Sequence, residues 1–340
     1  MNRINLNSLT EDQNILINKV ANEIRSDFDV LVNNLSEKHC NNLNWIVSSI
    51  ASRNKYQSPL FYRCLQIAFI DSILNGSNDS FEIISNDRPL CDMLEKHFKK
   101  KHKIICTESI IELIWRKLRP FRQYIIAFYF LFLRYLGSRE KIKLYNFPKK
   151  SITLIDTFVL NNKSGDEGSI YNGMYKDRYY PGLLENLSVN DKETIFFIPT
   201  IVGFLNPISI FKKIRNSNYN FLIHDDFLQI SDYITVLKHP FKLLKLNILN
   251  SSFRGFEMKE LLLDERRRNC SDFISLLGVL YFQFVKRLKK NNINIRLVIE
   301  WYENQVMDRG MIKGFHTFYK NCPVHGYQGY IISKDLHIYT

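Results

Sequence analysis

Glu300-Trp301-Tyr302-Glu303-Asn304-Gln305 places two carboxylates, two amides and two large aromatic side chains in one short run. A carboxylate at a strand edge can take a proton from a hydroxyl or hold sugar hydroxyls, with Asn304 and Gln305 orienting the substrate. The same run also suits a helix start. Were a helix to begin near Trp301, Glu300 would cap it, and the acids would simply complement the helix dipole. Residue chemistry alone leaves both readings open. Farther on, Val324-His325-Gly326-Tyr327-Gln328-Gly329 reads as a short strand running into a glycine-flanked turn. Gly326 and Gly329 would let backbone amides approach an anion closely, or would serve a plain turn.

In open α/β sheets ligands bind beyond the carboxyl ends of the strands. That rule singles out Arg53 and Asn54 after a strand expected at 44–50, and Arg178 at the end of the loop that follows the strand at 151–160. Arginine offers a bidentate fork to phosphate at such places. The rule also reaches His224-Asp225-Asp226, where the adjacent acids are a weak metal signal and read better as caps of the next helix. No metal site is expected. G-x-G-x-x-G, P-loop, H-E-x-x-H and G-x-S-x-G patterns are all missing, so dinucleotide redox chemistry, P-loop phosphoryl transfer and the common hydrolase sites have no support.

The elements that must position these residues alternate. Strands at 44–50, 81–85, 103–106, 151–160, 194–199, 220–224 and 294–299 are interleaved with helices at 59–74, 88–100, 207–215, 231–249 and 271–290, after an opening helix over 8–39. This rhythm predicts Rossmann-like parallel sheets flanked by helices. Residues 107–150 break it. The stretch 108–118 reads as helical, and the very apolar run 124–133 follows, flanked by basic residues. That apolar run is shorter than the roughly 20 residues a membrane span needs, so it is expected either in a core or on an anionic membrane surface. The boundary expected is 1–150, an α/β region carrying the helical insertion at 107–150, followed by a second α/β region at 151–340.

With 340 residues, 45% hydrophobic and 24% charged, the chain can bury large cores, and disorder is excluded. Lys+Arg exceed Asp+Glu by 13, which suits a polyanionic partner or only a solvated surface. No RNP, KH, zinc-finger or helix-turn-helix pattern supports nucleic acid as that partner. The scattered cysteines, Cys40, Cys64, Cys91, Cys106, Cys270 and Cys322, predict reduced thiols in a cytoplasmic setting.

The run 300–305, the helix ending Gly314-Phe315-His316-Thr317-Phe318-Tyr319, and Val324-His325-Gly326-Tyr327-Gln328 together resemble bacterial surface-carbohydrate biosynthesis proteins. These are glycosyltransferases of the GT-B type from capsule and O-antigen assembly, similar in pattern to capsular polysaccharide and CDP-glycerol-type transferases. The resemblance is sharp over about 295–332. It implies transfer of a sugar from a nucleotide-sugar donor, as substrate and without a bound cofactor, to a lipid-linked or growing glycan acceptor. Glu300 and Glu303 would then be catalytic, while Arg53, Asn54, Arg178, Asn304, Gln305, Tyr327 and Gln328 would bind substrate. It also implies a cytoplasmic protein, peripheral on the inner membrane face. The pattern departs from the family at Gly329, where a histidine often stands. The ending 335–340 reads like the opening of a β-strand, as though the second lobe were incomplete. That leaves an alternative: a non-catalytic lobe that binds a membrane or partner.

Overall fold

The computed structural model describes residues 2–53, 57–75, 77–99, 101–138, 145–160, 166–203, 206–270 and 272–329. The chain forms two compact units, Met1–Tyr124 with Pro240–Asp272, and Ile125–His239 with Phe273–Ile332. Each is α/β, with a parallel sheet flanked by helices.

In the first unit three parallel strands, β1 (Asn2–Asn5), β2 (Phe81–Ser85) and β3 (Lys103–Cys106), lie in that order. β2 buries Phe81, Ile83 and Ile84, the continuous apolar pattern of a strand covered on both faces. β1 escapes a sequence reading because its asparagines carry little β-propensity. The helix expected over 8–39 is two helices, Glu11–Glu23 and Arg25–Glu37, joined at the buried Ile24. Thr10 opens the first with a capping box. Its hydroxyl accepts the Gln13 N–H at 3.3 Å, and the Gln13 amide oxygen accepts the Thr10 N–H at 3.1 Å.

The strand expected at 44–50 does not form. Leu43–Ile46 and Ser49–Ser52 are single helical turns instead. Asn42 Oδ1 accepts the Asn44 N–H at 3.0 Å, and Ser48 Oγ accepts the Ala51 N–H at 3.2 Å. Such side-chain caps offer the backbone an alternative to a ladder. Arg53 therefore sits not at a strand end but in a left-handed helix cap, φ 55°.

The helix Leu60–Leu74 is apolar nearly all round yet carries the buried Arg63. Its guanidinium donates to Asp87 at 2.8 and 3.1 Å, to Asp264 at 2.8 Å and to Glu265 at 3.0 Å. These acids reach it from the helix Lys259–Asn269 and from the cap of Arg88–Phe98, so one cation ties three helices together. Arg63→Met should destabilise the protein by about 3–5 kcal/mol, because it strands buried carboxylates. A shift of the chemical-denaturation midpoint checks this, and an unchanged midpoint would show that the network contributes little.

Ile110–Ser138 is one continuous helix with Pro120 inside it, joining the two segments expected separately in the 107–150 insertion. In the second unit β4 (Ile152–Leu160), β5 (Ile195–Val202), β6 (Ile295–Trp301) and β7 (Val324–Tyr327) are all parallel, in the order β7-β6-β4-β5. The strand expected at 220–224 reduces to a single bridge, Phe197 with Phe221, after which His224–Phe227 turns into a 3₁₀ helix. Where one helix is expected over 231–249, two short ones form, Ile230–Leu237 and His239–Leu244, the latter belonging mostly to the first unit.

The helices Phe273–Lys290 and Val306–Phe318 pack together at small residues. A Cβ on Gly310 would lie 2.0 Å from the Gly278 carbonyl oxygen, and one on Gly314 would lie 2.9 Å from Val285 Cβ. Gly310→Ala must push backbone apart and should cost about 1–3 kcal/mol or more. Thermal unfolding would register the loss, and an unaltered melting temperature would refute the close approach.

Candidate functional site

β4 is the switch point of the second sheet. The chain moves to one side of it to make β5, and to the other side to make β6 and β7. Ligands of open α/β sheets bind at such a point, outside the carboxyl ends of the strands. Ile155 on β4 pairs with Ile299 on β6, so the next residues, Asp156 and Glu300, stand side by side across the switch point.

Both carboxyls are buried, Asp156 at 2% exposure and Glu300 at 1%. Asp156 accepts a hydrogen bond from the Thr200 hydroxyl at 3.0 Å and another from the Trp301 backbone N–H. Burial pushes it up to about 7 against those two bonds. Glu300 has no hydrogen-bond partner at either oxygen among the described residues. Burial first, and then the neighbouring Asp308 and Asp156, raise it well above the usual carboxylate range.

Asp308 completes the cluster. The helix Val306–Phe318 starts five residues after Trp301, with Gln305 as its cap, so Glu300 lies in the strand and caps nothing. Asp308 is the third residue of that helix, and its carboxylate accepts the Gln305 N–H at 2.8 Å and the Glu303 N–H at 3.3 Å. Burial and Asp156 raise it well above its ordinary range in spite of those bonds. Asn304 supplies the turn between strand and helix, at φ 52°, a left-handed conformation that asparagine tolerates better than most residues.

Glu303 is the member of the group that reaches solvent. Its carboxylate accepts the Trp301 indole N–H at 2.9 Å and the Gln305 amide at 3.3 Å. Around it stands an aromatic wall. The Trp301 ring is 4.7 Å from Tyr179, 5.9 Å from Tyr180 and 5.4 Å from Tyr327, and Tyr327 is 5.3 Å from Tyr180. Tyr327 is 45% exposed, and Gln328 is exposed beside it in sequence. Arg178 is exposed next to Tyr179, whose hydroxyl feels both the Arg178 cation and the Glu303 anion. Gly326 and Gly329 serve packing here. A Cβ would come within 2.9 Å of Tyr302 Cβ at the first and 2.2 Å of the Trp301 ring at the second. A histidine in place of Gly329 would collide with that ring.

Beneath the acids lies a second buried polar layer. The Tyr281 hydroxyl bonds Thr200, and its ring stacks on His224 at 3.9 Å. His224 is fully buried, neither ring nitrogen has a partner among the described residues, and burial with Arg134 nearby lowers it well below its ordinary value. Asp225 and Asp226 do not cap the next helix as expected. Asp225 takes a fork from Arg134 at 3.0 and 2.6 Å and the Tyr233 hydroxyl at 2.7 Å. Asp226 is held by Arg215 and by the Tyr145 hydroxyl at 2.6 Å. Both are committed to neutralising buried cations.

Of the residues singled out from sequence, Glu300, Glu303, Asn304, Gln305, Tyr327, Gln328 and Arg178 all belong to the second unit, most of them within the run that builds this edge. Arg53 belongs to the first unit, where its guanidinium donates to Asn33 at 2.5 Å and lies 3.5 Å from Asp29. Asn54 and the ending 335–340 lie outside the described residues. Asp156 and Asp308 were not singled out. The box spacing Gln305-x-x-Asp308 is the one signal that could have found the second.

Comparison with protein families, with curated proteins and with solved structures finds no match to this chain.

Proposed function

We propose that the chain is a glycosyltransferase-like protein of bacterial surface-polysaccharide biosynthesis. It would move a sugar from a nucleotide-sugar donor to a lipid-linked or growing glycan acceptor. The observation that carries this reading is the pairing of a carboxyl cluster with an aromatic wall at the switch point of a parallel sheet. Aromatic faces suit the apolar C–H surfaces of a sugar, and a carboxylate suits its hydroxyls. Glu303 would accept the acceptor's hydroxyl proton as that oxygen attacks the anomeric carbon. The bond from that carbon to the nucleotide phosphate breaks, and the nucleotide leaves with the electron pair, where Arg178 can meet its charge. Burial makes ionisation of Glu300, Asp308 and Asp156 costly, which would limit the negative charge behind Glu303. A GT-B arrangement is the fold this reading favours.

Peripheral attachment to the inner face of the membrane belongs to the same reading. Among the described residues no helix is long and apolar enough to cross a membrane. The helix Ile110–Ser138 instead leaves Ile111, Trp115, Leu118, Phe121, Phe128 and Tyr129 exposed between basic residues, a composition that suits an interface. The same surface favours a second reading, a non-catalytic module that binds a membrane.

A panel of CMP-, UDP-, GDP- and dTDP-sugars separates the two. One nucleotide class should stabilise the chain, by roughly 2.7 kcal/mol at a hundredfold excess over its Kd, and should release free nucleotide when acceptor is present. A well-folded protein that neither shifts nor releases nucleotide with any class would leave the non-catalytic module standing.

A further inference from the structure

A second site lies in the first unit and uses none of the residues above as ligands. The helix Ile110–Ser138 and the helix Lys259–Asn269 enclose a cavity of about 670 Å³ walled by Arg116, Lys117, Arg119, Arg122, Arg267 and Arg268, with Glu112 and Asp264 as its acids. Six cations against two anions is a surplus of four.

The acids are already engaged. Asp264 takes Arg63 at 2.8 Å and Arg268 at 2.9 Å, with Arg116 at 3.6 Å, and Glu112 accepts the Ser109 N–H at 2.7 Å. Arg116 is closed off by a fork to Glu108 at 2.8 and 3.2 Å. Lys117, Arg119 and Arg267 form no ion pair within 4 Å among the described residues, although Asp264 and Asp272 act on Arg119 from farther off, and Arg122 lies 5.9 Å from the Trp115 ring. Bringing unpaired cations together is unfavourable unless an anion joins them. Burial, followed by Arg268 and, more weakly, Arg122 as like-charged neighbours, lowers Arg119 below its ordinary range against the pull of Asp264 and Asp272.

The forks of Arg119, Arg122 and Arg267 match the several oxygens of a phosphate better than one carboxylate. On the same helix Ile111, Ile114, Leu118 and Phe121 are exposed. A cationic cavity lined also by the exposed Trp115, on a helix that carries these bare apolar side chains, fits an amphiphile with a phosphorylated head. We propose that this cavity binds a phosphate or diphosphate group, with Arg119, Arg122 and Arg267 as its principal ligands.

The proposal stands or falls apart from the sugar chemistry above, because its readout is binding to the first unit's residues. Inorganic pyrophosphate, titrated into the full chain by calorimetry, should bind in a salt-dependent manner. Flotation with phosphatidylcholine vesicles, with and without phosphatidic acid, tests the lipid source. The double variant Arg119→Gln/Arg267→Gln should weaken binding by about tenfold per residue, as expected for one lost charge-assisted hydrogen bond each. Lys212→Gln/Lys213→Gln, which removes the same charge from exposed positions in the second unit, should not weaken it. Vesicle binding that depends on phosphatidic acid and on Arg119/Arg267 would assign a lipid headgroup. Pyrophosphate binding with the same dependence but no vesicle binding would assign a soluble phosphate ligand. No binding of either probe, or binding that both double variants weaken equally, would overturn the site.

Discussion

Glu303→Gln should keep the fold and lose sugar transfer by about 10²–10⁴-fold, the usual contribution of a positioned general base. The substitution is nearly isosteric, and its amide oxygen can still accept the Trp301 indole N–H that now reaches Glu303 at 2.9 Å. Ring positions around Trp301 should therefore hold, and donor affinity with them. What disappears is the basic oxygen. The loss should fall on kcat and leave KM nearly unchanged, because the proton moves only in the transition state. Steady-state kinetics with the donor class found by the panel provides the test. A raised KM at unchanged kcat would mean that Glu303 only holds the substrate and that the proton leaves by another route.

Much of this edge can be read from the sequence because its residues are neighbours along the chain. Glu300 to Gln305 span a strand end, a left-handed turn and a helix cap, so local chemistry alone brings them together. The parallel strands at 81–85, 103–106, 152–160 and 195–202, with the helix Pro207–Arg215, are legible for the same reason, as long runs of one period. The misses are of two physical kinds. At 44–50 the apolar residues fit a strand, yet two short polar side chains cap the backbone into turns. A local hydrogen bond decided the conformation where apolar content could not.

The second kind concerns partners distant in sequence. Asp156 sits inside an apolar strand and gives no sign that the register of β4 against β6 will set it beside Glu300. Asp225 and Asp226 look like caps until Arg134 and Arg215 arrive from other elements. A sheet order such as β7-β6-β4-β5 is fixed by packing, and it is this order that makes a switch point of β4. The acids gain their shared environment from topology, and topology is what the local pattern cannot report.

That shared environment has a thermodynamic consequence: Glu300→Gln should stabilise the protein increasingly as pH rises. Asp156 titrates near 7 in the folded chain, against roughly 3.9 when unfolded, and Glu300 and Asp308 are also raised. Between those values the folded state binds more protons than the unfolded one, so stability falls with rising pH. Below about pH 3 all three are protonated in both states, and the fold bears no cost from them. Above its unfolded value each group costs about 1.4 kcal/mol per pH unit until its folded value is passed. For Asp156 the loss is complete once pH exceeds about 7 and comes to roughly 4 kcal/mol. Carboxylates held low, such as Asp264 under Arg63 and Arg268, work in the opposite direction, so the whole-protein curve mixes both. The difference between wild type and variant isolates the cluster. The amide that replaces the Glu300 carboxyl cannot ionise, so the variant is spared the cost of charging that position as pH rises. Urea midpoints of the two proteins at pH 5, 6, 7 and 8 should diverge, with the variant gaining on the wild type at every step. Parallel curves would mean that Glu300 is as easily ionised folded as unfolded, and that its carboxyl is not held in the dry pocket between β4, β6 and the helix Val306–Phe318.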